Sequence, residues 1–316
     1  MKPHRRLQEY VATLIVAACA CFAALAPPPD PQLRSAVRLH DFLHVPGFGL
    51  VALVLWFGFP EPAGTPTRRR VLHLFALFLV SVGVGIAVEI AQKLLGGDAD
   101  IWDVGRDIVG AGSTVLALGS LQRQTGVAWR WGLRLAALVG LLITLIPPAR
   151  AIADEARATR QFPVLADFCA SSDLGRFTWS AWSVGFFEPA VAPQACGALR
   201  LLLEPGDYPG LRLAFFPRDW RGWRELSITC VNPSATTLEV AVRIDDLWHN
   251  SAYQDRFNKT VLLAPGRNDV RILLTDVESA PVGRKLDLGH VGSVMVFALD
   301  LPVSRSLVFG EFRLIL

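Results

Sequence analysis

VLHLFALFLVSVGVGIAVEIA (Val71–Ala91) carries one acidic side chain, Glu89, close to its end. An apolar run of this length matches the roughly 17–25 residues that a helix needs to cross a bilayer. Outward from it, Tyr10–Ala26, Phe42–Phe59, Val104–Leu121 and Gly132–Ile146 are also apolar. The last is short, but Trp131 and Pro147-Pro148 frame it at interfacial positions. The reading is five membrane-spanning helices within residues 1–148. The composition agrees, with 52% apolar and 19% charged residues and a mean hydropathy of +0.38. Soluble domains carry charge on roughly a quarter of their residues.

Basic residues set the expected orientation. Lys2, Arg5 and Arg6 precede the first run, Arg68–Arg70 lie between the second and third, and Arg123 and Arg130 lie between the fourth and fifth, with Arg134 at the start of the fifth. All three groups fall on one side, which the positive-inside rule makes cytoplasmic. The N-terminus is then cytoplasmic, and the chain beyond Pro148 lies in the periplasm or outside the cell, with the helices in the inner membrane. Ala24-Leu25-Ala26 before Pro27 also fits a signal-peptide cleavage site. Cleavage would leave four spans and the same side for the C-terminal half.

After an alanine-rich charged segment, read as a helical neck (149–161), the pattern changes to period two. Leu238, Val240, Val242 and Ile244 alternate with Glu239, Ala241 and Arg243. Val308, Gly310, Phe312 and Leu314 alternate with Phe309, Glu311, Arg313 and Ile315. Leu211–Phe216, Leu226–Val231, Val270–Leu274 and Val294–Leu299 read as further strands, separated by Pro/Gly/Asn turns. Short strands without intervening helical patterns predict an all-β antiparallel sandwich of jelly-roll type over 162–316. Cys169 and Cys196 lie in this half, where an oxidising compartment allows a disulfide; Cys230, in a strand, reads as buried and free.

Polar groups inside apolar helices are expensive and are therefore candidate functional groups. Glu89 and Gln92 share a face at the end of the third run, Asp103 and Asp107 share one at the start of the fourth, and His40, Asp41 and His44 open the second. The spans place these residues at similar depth on the outer side. Two histidines four apart can share a zinc ion, with Glu89 or Asp103 as a third ligand. The preferred reading of His40 and His44 is interfacial side chains at a helix start, so no metal is assigned. Gly105, Gly110, Gly112 and Thr114 give the fourth run a small-residue surface suited to close helix packing.

His44, the Glu89-x-x-Gln92 pair and Asp103-Val-Gly-Arg-Asp107-Ile-Val-Gly110 make residues of about 35–120 resemble the VanZ-like family of bacterial membrane proteins. That family has an acid four residues before the histidine, where this chain has His40 followed by Asp41. It often has Arg at the place of Gly97 and Asn at that of Asp107. The resemblance implies a bacterial cell-envelope membrane protein and no defined reaction.

In the C-terminal half, Asp245-Asp246-Leu247-Trp248-His249-Asn250 and Tyr253-Gln254-Asp255-Arg256-Phe257-Asn258 are followed by Pro265-Gly266, Arg284, Leu286-Asp287-Leu288 and a last strand at 309–316. This order is similar to carbohydrate-binding and galactose-binding-like sandwich modules over residues of about 205–316. Sugars are held by flat rings against C–H faces and by planar polar groups on hydroxyls. Trp220, Trp223, Trp248 and Tyr253 supply rings; Asp246, His249, Asp255, Arg256 and Asn258 supply polar groups. Structural pairing of Asp255 and Arg256 is the competing reading.

No Gly-x-Ser-x-Gly, P-loop or dinucleotide fingerprint occurs, and Asp245, Asp246 and Asp255 show no glycosidase spacing. No catalytic residue or cofactor is assigned. A net charge of +3 with scattered arginines excludes a nucleic-acid partner. The expected partners are the lipid bilayer and an envelope glycan or related saccharide. Two other readings stand beside glycan binding: an enzyme or transporter of a lipid-linked envelope precursor at the outer leaflet, and a structural partner of another envelope protein.

Overall fold

The computed structural model describes residues 29–62, 65–95, 100–122, 125–190 and 196–316, and divides into two compact units, 1–149 and 150–316. The first predicted span (10–26) and the adjoining Lys2, Arg5 and Arg6 lie outside the described residues, as does Arg123.

The first unit is helical: α1 (Arg34–Gly58), α2 (Thr67–Leu94), α3 (Ile101–Ser120) and α4 (Val127–Thr144). Among the described residues, three helices are long and apolar enough to cross a membrane: α1, α2 and the continuous run Val127–Gln161. Five spans are not reached among the described residues. α3 falls short because Asp103, Arg106 and Asp107 lie within its 20 residues. Its neighbours explain why polarity is tolerated there. α3 packs against α1, α2 and α4, and Asp107, Gly110, Ala111 and Ser113 are buried between them. A Cβ on Gly110 would overlap the backbone carbonyl of Val45 in α1, so glycine sets this helix spacing. Asp100 caps α3, its carboxylate accepting from the Trp102 amide at 2.9 Å.

The second unit opens with α5 (Ile146–Gln161), of which residues from Arg150 belong to it. The segment expected as a helical neck is helical, and it also packs within this unit. Ala151 and Ala158 are buried, and Asp154 takes a forked pair of hydrogen bonds from Arg176 at 2.9 and 3.1 Å. Arg157 pairs with Asp167 and with Asp173.

Among the described residues eleven strands follow, all antiparallel where paired: β1 (Val164–Ala166), β2 (Phe177–Trp179), β3 (Ser183–Glu188), β4 (Ala198–Leu203), β5 (Gly210–Leu213), β6 (Glu225–Asn232), β7 (Leu238–Asp246), β8 (Phe257–Leu263), β9 (Gly266–Leu273), β10 (Val291–Phe297) and β11 (Arg305–Ile315). One sheet has the order β3-β4-β11-β6-β9, with β1 also on β11; the other is β2-β5-β10-β7-β8. Their inner faces enclose one core that includes Leu199, Leu201, Val240, Val242, Phe309 and Phe312. The sandwich expected from the alternation is present.

Several strand expectations change; β5 ends at Leu213 rather than Phe216, and β10 ends at Phe297 rather than Leu299. The alternation of β11 breaks at Gly310, where the register against β6 shifts between Phe309 and Glu311. Phe309 and Phe312 therefore both face inward, stacked with centroids 5.6 Å apart, whereas Val308 and Gly310 do not share their face. The strand expected to reach Leu274 stops at Leu273, and Leu274 starts the short helix α6 (Leu274–Ser279). Cys169 and Cys196 are joined in a disulfide, and Cys230 is buried with its thiol pushed up to about 12 by burial.

Candidate functional site

In the sandwich unit, the outer face of the five-stranded sheet forms an open cleft of about 550 Å³. Strand register builds its floor. Cross-strand neighbours Thr178, Arg212, Met295, Arg243 and Asn258 form one row, because the partners on β2, β5, β10, β7 and β8 are in line. Phe297, Ala241 and Thr260 form the next row. These positions point outward because the alternate ones, Leu211, Leu213, Val242, Ile244 and Val294, fill the core. Tyr208 and Tyr253 stand at the cleft with 58% and 69% of their surfaces exposed. Tyr253 lies under the Arg256 guanidinium, 5.4 Å from the ring centroid.

The cleft is basic. Arg243, Arg256 and Lys259 line it and Arg212 adjoins it. Asp245 opposes them, bound to Arg243 at 3.1 Å and to the Ser293 hydroxyl at 2.8 Å. Burial lowers the pKa of Arg243 from its usual value, and the neighbouring positive charges of Arg256 and Arg212 act in the same direction against Asp245. Arg256 Nε is buried and has no hydrogen-bond partner. Exposed rings beside fixed donors can hold a sugar ring and its substituents.

The residues expected to bind a ligand separate into two groups. Tyr253, Arg256 and Asn258 reach the cleft. Trp220 does not: it is fully buried in the core against Phe216, and its indole N–H donates to the Pro217 carbonyl at 3.1 Å. Trp223 is half-buried, edge-on to Phe162 at 5.7 Å. Asp246 and Asp255 anchor a loop through Arg284, which donates to both. Burial favours protonation of Asp246, but Arg284 and the amides of Asp287 and Trp248 outweigh it and hold its pKa low. Hydrogen bonds from Arg284 and the Asn250 amide hold Asp255 at about 2. His249 bridges within the same loop, 3.0 Å from both the Arg243 guanidinium and the Asp255 carbonyl. Trp248 is exposed, edge-on to His290. The expected Asp255–Arg256 pairing is replaced by Asp255–Arg284. Tyr208, Arg243, Lys259, Met295 and Phe297 were not singled out by the sequence, although the alternation of β7 already turned Arg243 outward.

In the helical unit a second polar cluster forms. His44, 2% exposed, places Nδ1 2.9 Å from Asp107 Oδ1 and Nε2 3.8 Å from Asp103 Oδ2. Arg106 donates to Asp103 and, at 3.2 Å, to Asp41, which Arg38 also contacts at 3.0 Å. Glu89 is buried, and its Oε2 accepts from the Asp100 amide at 3.0 Å. Gln92 is half-buried one turn further along α2. His40 is half-buried, and its Nε2 has no hydrogen-bond partner. It is not among the side chains gathered with His44, so the spacing of two histidines does not describe the cluster.

No protein-family model matches the chain, and no curated protein matches it. Solved structures resemble its β-sandwich. One is a family 11 carbohydrate-binding module from Clostridium thermocellum in complex with a β-1,3-1,4-mixed-linked tetrasaccharide, with a TM-score of 0.38 and 13% identity over 48% of this chain and 94% of that one. An exo-β-agarase matches with a TM-score of 0.38 and 14% identity over 48% of this chain and 24% of that one. A family 30 carbohydrate-binding module of a Clostridium thermocellum cellulosomal cellulase matches with a TM-score of 0.29 and 16% identity over 42% and 81%. Likenesses this distant carry no functional inference.

Proposed function

We propose that this is a multi-pass protein of a bacterial inner membrane, with a VanZ-like helical half, whose sandwich binds an envelope saccharide outside the cytoplasm. The observation that carries the binding role is the cleft on the β7–β8–β10 face, with Tyr208 and Tyr253 exposed beside Arg243, Arg256 and Asn258. Its excess of positive charge suits a saccharide bearing carboxylate or phosphate groups. The membrane role is supported by outward apolar side chains on α2 and α4, such as Leu72, Leu79, Ile90, Leu138 and Leu142. Full-length protein in lipid nanodiscs, tested against acidic and neutral envelope glycans, should retain the acidic ones. The double variant Tyr208→Ala/Tyr253→Ala should lose that binding while remaining folded. Folded wild type that binds no saccharide defeats the proposal. A reporter fused after Leu316 that is active only in the cytosol defeats the topology.

The buried His44–Asp107 contact favours a second reading, action on a lipid-linked envelope precursor. Asp103→Ala, present at normal level, would then lose the cellular phenotype of the wild type.

A further inference from the structure

We propose that His44, Glu89 and Asp103 form a binding site for one divalent transition-metal cation, with zinc as the representative, between α1, α2 and α3. This is independent of the saccharide reading. One ligand atom from each residue lies within 4.8 Å of the others. Tetrahedral zinc with bonds of about 2.0–2.1 Å separates its ligand atoms by roughly 3.3 Å, so rotamer adjustments of under about 2 Å close the site. His44 Nε2 and Asp103 Oδ2, 3.8 Å apart, are already near that spacing and too far apart for a hydrogen bond.

The surroundings point to a cation independently of this spacing. An ionised carboxylate only accepts, so the 2.9 Å contact makes His44 Nδ1 the donor to Asp107 Oδ1. In the neutral imidazole, Nε2 then presents a lone pair toward Asp103. This is the carboxylate–histidine–metal arrangement in which an outer carboxylate fixes the tautomer of a ligating ring. Asp107 is fully buried, and Gly85 makes room for it, since a Cβ there would overlap its carboxylate. The other two ligands are held in a comparable way. Arg106 occupies Asp103 Oδ1, and the Asp100 amide occupies Glu89 Oε2. Glu89 Oε1 is left buried with no hydrogen-bond partner, on a side chain only 7% exposed. A dication satisfies that oxygen and balances the two ligating carboxylates, while Arg106 neutralises Asp41. Three protein ligands leave a fourth position open, as in catalytic zinc sites.

The test uses the full-length chain in detergent, purified through a tag without histidine, stripped with chelator and reloaded with zinc. Metal content by mass spectrometry should return to about one equivalent per chain, and X-ray absorption at the zinc edge should report nitrogen and oxygen donors. His44→Ala should abolish the equivalent, and His40→Ala should leave it intact. Asp107→Asn should weaken zinc binding by about 10–100-fold, as loss of an outer-sphere partner does. Folded wild type that takes up no zinc, zinc bound through sulfur, or His44→Ala with wild-type affinity would each overturn the proposal. Should His44→Ala fail to fold, the wild-type stoichiometry, its absorption spectrum and Asp107→Asn still decide it.

Discussion

At the scale of single residues, two aromatics that look alike in sequence have opposite roles. Trp220 and Tyr253 both sit in polar, turn-rich segments. Only the fold buries the first among Phe216 and its neighbours and leaves the second at the cleft. Trp220→Ala should cost about 3–5 kcal/mol by opening a core cavity. Tyr253→Ala should change stability by less than about 0.5 kcal/mol but weaken saccharide binding about two- to tenfold. Chemical denaturation of both variants beside glycan titration separates the roles. Arg284 provides a second contrast. The folded state holds the Asp255 carboxyl at about 2, below its ordinary value of 3.8, so its stabilisation is complete above the ordinary value. That stabilisation is lost as pH falls through the window from about 4 to 2. Arg284→Met should flatten the acid arm of the melting-temperature profile there, because Asp246 and Asp255 lose the shared guanidinium. The structural reading of the sequence would pair Asp255 with its neighbour Arg256. The partner lies 29 residues further along and is reached only through tertiary structure.

At the scale of elements, the helices and strands with strong periodicity were legible. α1, α2, β6 and β7 follow from apolar runs or strict alternation, since their burial is decided locally. The break in β11 was not legible, because the bulge at Gly310 depends on β6 lying alongside it. The helix before the sandwich was legible as a helix, but its packing was not. IADEARATR reads as a helical neck, and nothing in it shows that Arg176, 22 residues on, makes Asp154 a buried partner. Asp154→Ala would leave the buried Arg176 with Asp173 and one backbone carbonyl. The expected cost is about 3–5 kcal/mol, typical of breaking one side of a buried ion pair. Thermal unfolding of the variant should show this loss, and Asp154→Asn should recover part of it through its amide oxygen.

At the scale of the whole molecule, the division into a helical unit and a β unit was legible because hydropathy changes sharply near Arg150. The partners within each sheet were not, since β11 joins β4, β1 and β6 across most of the domain's sequence. Nor was the cleft, half of whose lining comes from strands that the motifs did not mark. The helical unit has a consequence for biogenesis. Its helix α3 carries Asp103, Arg106 and Asp107 and is not among the helices apolar enough to cross a membrane, yet α1, α2 and α4 all pack against it. On the proposed membrane reading, such a segment partitions poorly from the translocon into lipid by itself and depends on its companions to be retained. Synthesis halted at residue 122, before α4 emerges, should yield a product that the membrane quality-control proteases clear quickly, whereas chains extending through Leu145 should persist in pulse–chase experiments.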